Sequence, residues 1–323
     1  MCTALSFRSG KHYFGRNLDL SYHYNEAVTI TPRNYPLNFR FASQTIYRYA
    51  TIGIATVVEQ YPLYYDGTNE FGLSAAGLNF PGNAYYGIRE NKKHTVTSFE
   101  FIPWVLCQCK TVKEAVALLQ DTQLSNEAFS AEYAPTDLHW IISDQTQSIV
   151  VEPGKNGLEI IQNPFHILTN NPPFAFHANN IQNYQNLSNR SPENGLLADI
   201  TFHPYSNGLG SYGLPGDTSS ASRFVRAFFT ARYSVRPKET CAAVIQFFHI
   251  LGSVRQTEGC TSEPGGFTKT VYTSCCDTSC GKYYYTTYEN PQIRCVQMTD
   301  ANKCAGALEI YPLDKADGIF MVN

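Results

Sequence analysis

The sequence predicts an α+β fold in which two packed sheets are covered by helices. Segments rich in β-branched and aromatic residues, which are typical of strands, cluster towards both ends of the 323-residue chain. Segments with helical start signals lie mostly between them. Because no Gly/Ser run, long Pro-rich stretch or block of like charge divides the chain, we expect residues 1–323 to form a single domain.

The first predicted element is a β-hairpin at the N-terminus. Apolar and polar residues alternate around residues 11–14, and Ser9-Gly10 supplies the turn. A hairpin of this length brings Arg16 and Asp19 back beside Cys2.

The later elements follow from composition and capping signals. Residues 46–58 read as a strand with a break at Gly53, and Thr111 to Glu114 form a capping box that begins a helix before Ala115. The remaining predicted elements are a buried helix over 99–109, a hairpin of 138–143 with 148–152, helices over 219–232 and 240–254, and a strand over 283–288.

Charge and hydropathy exclude several classes of function. The net charge is −3 and the pI is about 6.2, so nothing favours a nucleic acid or an anionic membrane as a partner. No charged start with an apolar core and cleavage site opens the chain, and no apolar run approaches the roughly 20 residues of a spanning helix. We therefore expect a cytoplasmic protein without a membrane segment.

Ten cysteines are expected to be reduced thiols in that compartment. Cys107 with Cys109, and Cys275-Cys276 with Cys280, are weak metal signals because no CxxC pair is present. Buried free thiols are the better interpretation, and we expect no metal or organic cofactor.

Two common motifs can be dismissed. The glycines of residues 208–213 match G-x-G-x-x-G, but His203-Pro204 before them and Pro215-Gly216 after them indicate a loop instead of a strand and a helix. Residues 72–76 miss G-x-S-x-G at the last position.

Cys2 carries the strongest chemical signal. Its small side chain permits removal of Met1, which would leave a thiol and a free α-amine on the same residue. A free α-amine has a pKa of about 7.7–8.0, so a useful fraction is neutral and can accept the thiol proton. By itself, position 2 is weakly constrained, and a chance cysteine would be the simpler explanation.

Two charged residues on the second hairpin strand strengthen this hypothesis. A guanidinium from Arg16 near the sulfur would favour the thiolate, and the carboxylate of Asp19 would orient the α-amine by hydrogen bonding. The alternative is that both are ordinary solvated charges.

The sequence resembles the choloylglycine hydrolase family, which contains bile salt hydrolases and penicillin V acylases. The resemblance begins with Cys2 and the run Phe14-Gly15-Arg16-Asn17 followed by Asp19, and it covers almost the whole chain. Further matching motifs are Thr31-Pro32-Arg33-Asn34-Tyr35, Asp66-Gly67-Thr68-Asn69-Glu70, Ala76-Gly77-Leu78-Asn79-Phe80-Pro81, Leu138-His139-Trp140, Leu168-Thr169-Asn170-Asn171-Pro172, Ala221-Ser222-Arg223-Phe224, and residues 213–217, 272–275 and 283–290.

The resemblance implies a four-layer αββα sandwich of the N-terminal nucleophile hydrolase type. It also implies that Asn79 and Asn170 stabilise the oxyanion of an attacked amide, although each could be a turn residue. Arg223 matches a second active-site arginine; otherwise it would be a surface charge or a partner of Asp217. Members are commonly homotetramers.

The resemblance favours bile salts as substrates, because bile salt hydrolases carry Asn at the position of Asn79 where penicillin acylases often carry Tyr. The substrate would be a steroid acid joined by an amide to glycine or taurine, and the preference between them stays open. Loops at 129–135 and 61–65 are the expected pocket walls, whereas residues 254–271 match no motif. The alternatives are a penicillin V or acyl-homoserine-lactone acylase and a non-catalytic protein that binds amphipathic molecules.

Overall fold

The computed structural model describes residues 1–41, 45–46, 48–87, 93–193, 199–201, 203–314, 316, 318–319 and 321–323, with the backbone alone for 45–46. Within these ranges, no helix combines the length and apolar character that crossing a membrane requires.

The described residues form strands, α-helices and short 3₁₀ turns. The strands are β1 Cys2–Ser9, β2 Lys11–Leu20, β3 Ala27–Thr31, β4 Pro36–Leu37, β5 Thr45–Ile46, β6 Thr51–Val58, β7 Tyr61–Asn69, β8 Ser74–Asn79, β9 His94–Thr97, β10 Thr122–Ser125, β11 Leu138–Ser143, β12 Ser148–Gly154, β13 Gly157–Gln162, β14 Ile167–Leu168, β15 Ser262–Glu263, β16 Gly266–Phe267, β17 Lys269–Asp277, β18 Lys282–Thr287, β19 Arg294–Gln297 and β20 Glu309–Pro312. The α-helices are α1 Phe101–Leu106, α2 Val112–Gln120, α3 Phe174–Asn180, α4 Ser220–Tyr233, α5 Thr240–Gly252 and α6 Asp300–Lys303. The 3₁₀ turns are Ser98–Glu100, Ile181–Tyr184 and Leu209–Ser211.

Two large sheets form the centre of the molecule. A six-stranded sheet has the order β14-β1-β2-β17-β18-β19, and an eight-stranded sheet has the order β13-β12-β11-β8-β7-β6-β3-β20. The first sheet combines the N-terminal hairpin with strands from the last sixty residues, which explains why strand signals cluster at both ends of the sequence.

Helices cover the outer face of each sheet. Helices α4 and α5 pack on β1, β14 and β17, and helices α1 and α2 pack on β7, β8 and β13. One core cluster extends from α4 and α5 through the six-stranded sheet to the eight-stranded sheet, and a second lies beneath α1 and α2. The layers therefore follow the order helix, sheet, sheet, helix, which confirms the predicted α+β sandwich.

Several predicted elements are confirmed with shifts of a few residues at their ends. The first hairpin pairs Cys2 with Leu18 and Ser9 with Lys11, so Gly10 occupies the turn. The hairpin of β11 and β12, the helices α4 and α5, and the strand β18 lie where the sequence predicts them.

The predicted strand over 46–58 is wrong in two respects. It begins at Thr51 and continues through Gly53 without a break, while Thr45–Ile46 pairs with Pro36–Leu37 and residue 47 lies outside the described residues. Gly53 lies within the strand, and glycine is required there because a Cβ would meet the carbonyl oxygen of Asp66 at 2.0 Å. Glycine at this position thus permits close approach of β7.

The two helical predictions before residue 121 need smaller corrections. The helix predicted over 99–109 is a 3₁₀ turn followed by α1, which begins at Phe101 so that Pro103 falls in its first turn, where its missing N–H is tolerated. Helix α2 is capped by Thr111, whose Oγ1 accepts from the Glu114 N–H at 3.2 Å. In a capping box the Glu114 carboxylate would accept from the Thr111 N–H, but here it accepts from the N–H of the preceding residue, Lys110.

Two β-bulges lie where the sheets approach the N-terminus. On β7, Tyr65 is the extra residue between the pairs Ile54–Asp66 and Ala55–Tyr64. On β17, Val271 is the extra residue between the pairs Thr270–Asp19 and Tyr272–Leu18. Bulges of this kind redirect neighbouring backbone groups and are frequent beside active sites.

Candidate active site

Cys2 is the first residue of β1 and is buried. Its N–H donates to Oδ1 of Asn170 at 2.7 Å, and its carbonyl oxygen accepts from Nη1 of Arg223. The Met1 ammonium donates to the main-chain oxygen of Asp19 at 2.7 Å, and the Asp19 N–H donates to the Met1 carbonyl at 3.0 Å. The hairpin therefore holds the start of the chain against the residues that the sequence places around it.

Arg16 lies in the middle of β2 and points into the gap between the sheets. Its Nη1 donates to the carbonyl oxygens of Tyr65, at 2.9 Å, and of Gly77. Its Nη2 has no hydrogen-bond partner among the described residues, and the side chain lines the pocket that contains Cys2. Burial lowers the pKa of Arg16, but the surrounding acidic groups outweigh burial and hold that pKa above its usual range.

Asp19 is fully buried near the end of β2. Its Oδ1 accepts from the Thr270 hydroxyl at 2.6 Å, and its Oδ2 lacks a hydrogen-bond partner within the described part of the chain. Burial raises the pKa of Asp19, an effect opposed by Arg223, by the chain's amino group, by the Thr270 hydroxyl and by Arg16. The free oxygen is an acceptor that a new α-ammonium could use.

Asn170 and Arg223 are joined to each other and to Cys2. Nη2 of Arg223 donates to Oδ1 of Asn170 at 2.8 Å, and Nη1 also donates to the Thr3 hydroxyl at 2.7 Å. Nε of Arg223 donates to the Thr218 carbonyl at 3.0 Å, so this arginine is a buried linker and neither a surface charge nor a partner of Asp217. Burial lowers the pKa of Arg223, and Asp19 and Cys2 oppose that effect.

Asn79 ends β8 and lies at the pocket wall. Nδ2 of Asn170 donates to the main-chain oxygen of Asn79 at 2.8 Å. That amide nitrogen carries two hydrogens, and the second forms no hydrogen bond among the described residues. The two asparagines therefore lie side by side next to Cys2.

A pocket of about 620 Å³ opens onto these residues. Cys2, Arg16 and Asn79 line it, whereas Asp19, Asn170 and Arg223 do not. Its walls are largely apolar and aromatic, and they include Leu18, Leu20, Leu63, Tyr65, Phe99, Ile102, Phe129, Tyr133, Ala134 and Pro135. Such a volume suits a small organic ligand with an apolar body.

Both predicted pocket walls contribute to this lining. Residues 129 and 132–135 form one side, as expected. The segment 61–65 is part of strand β7 and not a loop, and its residues 63–65, which include the bulge residue Tyr65, line the pocket.

Two further residues, His139 and Glu152, position the site, and the sequence analysis did not assign either of them to it. Nε2 of His139 lies 2.9 Å from the Thr169 oxygen, and its Nδ1 lies 3.1 Å from Oε1 of Glu152. The same Glu152 oxygen accepts from the Phe174 N–H at 2.8 Å. His139 and Glu152 thus hold both ends of the segment that presents Asn170, and His139 lies within a motif quoted above for the family resemblance.

Four of the other cysteines are also buried, namely Cys107, Cys109, Cys275 and Cys276. Cys280, expected to be buried with them, is exposed because it lies in the turn between β17 and β18. Burial raises the pKa of Cys107, Cys275 and Cys276, so these thiols lack the thiolate character of a nucleophile.

Comparison with known families gives a match over most of the chain. The profile of the linear amide C–N hydrolases, choloylglycine hydrolase family, matches residues 2–309. A bile salt hydrolase/transferase of Lactiplantibacillus plantarum is 46% identical over 324 residues, with full coverage of both chains. A bile salt hydrolase/transferase of Clostridium perfringens is 36% identical, also with full coverage of both chains.

Solved structures show the same architecture. A variant of the conjugated bile acid hydrolase from Clostridium perfringens superposes with a TM-score of 0.91 at 34% identity, over the whole of both chains. Penicillin V acylase from Agrobacterium tumefaciens gives a TM-score of 0.75 at 20% identity, over 96% of this chain and 90% of the acylase, which is a likeness of fold.

Proposed function

This chain belongs to the choloylglycine hydrolase family of linear amide C–N hydrolases, and from that membership we propose that it hydrolyses conjugated bile salts. The substrate is a steroid acid joined by an amide to glycine or taurine, and the products are the free bile acid and the amino acid. Several of its relatives are named for this substrate class.

One observation carries the assignment to the site itself. The pocket of about 620 Å³ is lined by apolar and aromatic side chains, and Cys2, Arg16 and Asn79 lie on its wall. An apolar pocket can bury a steroid body while the polar wall faces the amide that joins it to the amino acid. The nucleophile and the binding volume are therefore contiguous.

The reaction begins after Met1 is removed. The Cys2 thiolate attacks the amide carbonyl carbon, and the electrons of the C=O bond move onto oxygen to form a tetrahedral oxyanion. Collapse breaks the C–N bond, the α-ammonium of Cys2 gives its proton to the departing nitrogen, and a thioester remains. Water then attacks the thioester, with the α-amine as base, and releases the bile acid and the free thiol.

Asn79 and Asn170 supply the donors for the oxyanion. They lie next to Cys2, and Nδ2 of Asn170 retains one hydrogen beyond its bond to Asn79. Loss of one such donor typically lowers the rate by about 10²–10³.

The three charged residues act on the nucleophile. Arg16 lies on the pocket wall and favours the thiolate, and Asp19 faces the α-ammonium. Nη2 of Arg16 and Oδ2 of Asp19 have no hydrogen-bond partner in the part of the chain that the structure describes. Arg223 fixes the Cys2 carbonyl and the Asn170 amide. These six residues form the proposed site in a chain that we propose to be one domain.

The first test joins intact mass to activity. The purified protein is weighed before and after a short exposure to iodoacetamide, and hydrolysis of taurocholate, glycocholate and penicillin V is assayed on the same samples. We expect mass without Met1, modification mapped to Cys2, and loss of bile salt hydrolysis in step with modification.

Two variants sharpen this test. Cys2→Ala should bind conjugated bile salts without cleaving them, and Cys2→Ser should lose most activity because a hydroxyl is far harder to ionise. Full hydrolysis by Cys2→Ala would refute the mechanism. Faster turnover of penicillin V than of either bile salt would favour an acylase, and binding of bile salts without turnover by Met1-free protein would favour a binding protein.

We propose that the protein assembles as a homotetramer. An apolar groove of about 410 Å³ lies between α3 and α4, lined among others by Phe165, Ile181, Phe228 and Phe229. Tyr205 and Tyr212 are exposed on the segment that precedes α4, and exposed apolar surface of this kind is typical of contacts between proteins. Light scattering coupled to size-exclusion chromatography should give four times the chain mass of 36.2 kDa.

We propose a cytoplasmic location. The ten cysteines, all of them within the described residues, form no disulfide, which fits a reducing compartment. Fractionation of cells that express the protein with a C-terminal tag would test this, because recovery with secreted or membrane material would contradict it.

A further inference from the structure

Arg16 is a buried cation without a hydrogen-bonded carboxylate. Its Nη1 donates to two carbonyl oxygens, its Nε lies 3.4 Å from the Asn17 oxygen, and no ion pair includes it among the described residues. Carbonyl groups carry partial charges only, and an isolated buried ion is strongly destabilising unless a counter-charge lies close. The gap between the sheets should therefore contain a negative group for Arg16.

Asp66, on β7, is buried in the same gap between the sheets as Arg16. It follows Tyr65, whose carbonyl accepts from Arg16, and its carboxylate accepts from the hydroxyls of Tyr272, at 2.7 Å, and Tyr283. The Ser274 hydroxyl donates to Asp66 at 3.3 Å and accepts from the main-chain N–H of Arg16 at 3.1 Å. One hydroxyl thus bridges the backbone of Arg16 and the carboxylate of Asp66.

Asp66 has no competing cation. All its hydrogen-bond partners are neutral hydroxyls, and it forms no ion pair within the described ranges. Burial raises the pKa of Asp66, and Arg16 and the three hydroxyl donors oppose that effect. The other acidic residue near Arg16, Asp19, also faces Arg223 and the amino terminus.

We propose that Asp66 is a positioning residue that supplies the buried counter-charge of Arg16 and so limits how strongly this arginine stabilises the Cys2 thiolate. The inference rests on the proposed role of Cys2 as nucleophile. With Asp66 ionised, part of the field of Arg16 is neutralised before it reaches the sulfur. Among the described residues, the other ionisable groups that face this pair or Cys2 are Asp19, Arg223, Tyr65, Tyr272, Tyr283, Cys276 and the amino group of the chain.

The test is the variant Asp66→Asn, which keeps the side-chain shape and one acceptor oxygen but removes the charge. The rate of iodoacetamide modification of Cys2 is measured against pH by mass spectrometry on Met1-free protein. We expect the midpoint of this profile to fall by about half to one pH unit, because the thiolate gains the undivided field of Arg16.

The matched control is Asp277→Asn. Asp277 is a buried carboxylate at the end of β17 in the six-stranded sheet, and it is paired with Lys11 at 2.9 Å, away from the pocket-lining residues. This variant should lose thermal stability without moving the midpoint. If Asp66→Asn does not fold, Asp66→Ser tests the same idea, because it also removes the charge and keeps an acceptor oxygen, so it should also lower the midpoint.

An unchanged or raised midpoint in Asp66→Asn or, where that variant does not fold, in Asp66→Ser would overturn the inference. This failure is distinct from failure of the proposed function, which would show as bile salt hydrolysis that survives complete modification of wild-type Cys2.

Discussion

Arg223 does not line the pocket, and its guanidinium contacts Cys2 at the main-chain carbonyl, together with Thr3, Asn170 and Thr218. We predict that Arg223→Lys lowers kcat about 100-fold with little change in KM, since a single ammonium cannot reproduce this fork of contacts. Steady-state kinetics with taurocholate or glycocholate measures both values.

The control for this prediction lies three residues along the same helix. Arg226 donates to the carbonyls of Ser253, Pro215 and Asp217, away from Cys2. Arg226→Lys should therefore leave kcat unchanged. A fall in kcat of the same size in both variants would mean that Arg223 serves stability alone.

Thr270 sets the ionisation of Asp19. Its hydroxyl donates to Oδ1 at 2.6 Å and opposes the rise in the pKa of Asp19 that burial causes. In Thr270→Val this opposition is lost, so the pKa of Asp19 rises further and the ionised form is lost at a higher pH. When kcat/KM is measured against pH, we expect the acidic limb of the profile to move up by about one pH unit. The reason is that a hydrogen bond to a charged group contributes about 1.5 kcal/mol or more.

Thr268→Val is the matched control for that profile. Thr268 is buried two residues away, and its hydroxyl has no hydrogen-bond partner among the described residues. The acidic limb of the kcat/KM profile of Thr268→Val should coincide with that of the wild type. Equal shifts in Thr268→Val and Thr270→Val would show that the ionisation of Asp19 does not cause the shift.

The residues around Cys2 differ in how far the sequence could predict them. Arg16 and Asp19 follow from the hairpin, because both strands are local and their register is set by one short turn. Thr270 and Asp66 could not be predicted from pattern, because their partners lie far away in the chain. The Thr270–Asp19 bond alone spans 251 residues.

Two glycines lie where neighbouring strands approach closely, and one of them explains a failed prediction. Gly53 gave a false break because a sequence does not distinguish a bend from a close approach of two strands. Gly15 occupies the same kind of position in a quoted motif. A Cβ there would meet the Ser274 oxygen at 2.0 Å and Cα of Cys275 at 2.9 Å, so β2 and β17 would have to separate.

We predict that Gly15→Ala lowers the free energy of unfolding by about 3 kcal/mol or more, because the clash is with backbone atoms that cannot rotate away. Urea denaturation measures this change. Gly216→Ala is the control, since an added Cβ meets nothing within 4 Å, and it should change stability by less than about 0.5 kcal/mol. Comparable values for the two variants would contradict the close-approach explanation.

The site as a whole is assembled across the interface between the two sheets. Arg16 extends from one sheet to carbonyls of the other, and Asp66 returns contacts to Tyr272 and Tyr283 on the first. The layered fold was predictable from the strand and helix pattern together with the family resemblance. The pairing of side chains across the gap was not, because it depends on the two bulges that set the register there.

A second polar network joins the sheets through His12, a residue outside the active-site pocket. Nε2 of His12 lies 3.0 Å from the Ser6 hydroxyl, which accepts from Ser143 on the other sheet at 2.8 Å, and Nδ1 lies 3.0 Å from the Thr278 hydroxyl. Burial, reinforced by Arg8, lowers the pKa of His12 from 6.5 to about 4. The folded protein therefore keeps this imidazole neutral.

This network makes global stability depend on pH in a defined window. Above pH 6.5 the imidazole is neutral in both states, and as pH falls from 6.5 to about 4 only the unfolded chain takes up the proton. The contribution of His12 to the free energy of unfolding is fully present above pH 6.5. It is lost progressively as the pH falls to about 4, by about 3 kcal/mol in total.

We predict that the free energy of unfolding of His12→Gln falls less steeply between pH 6.5 and about 4 than that of the wild type, as measured by urea denaturation at a series of pH values. His203→Gln, at an exposed histidine, should keep the wild-type slope, and a wild-type slope in His12→Gln would show that other groups cause the acid sensitivity.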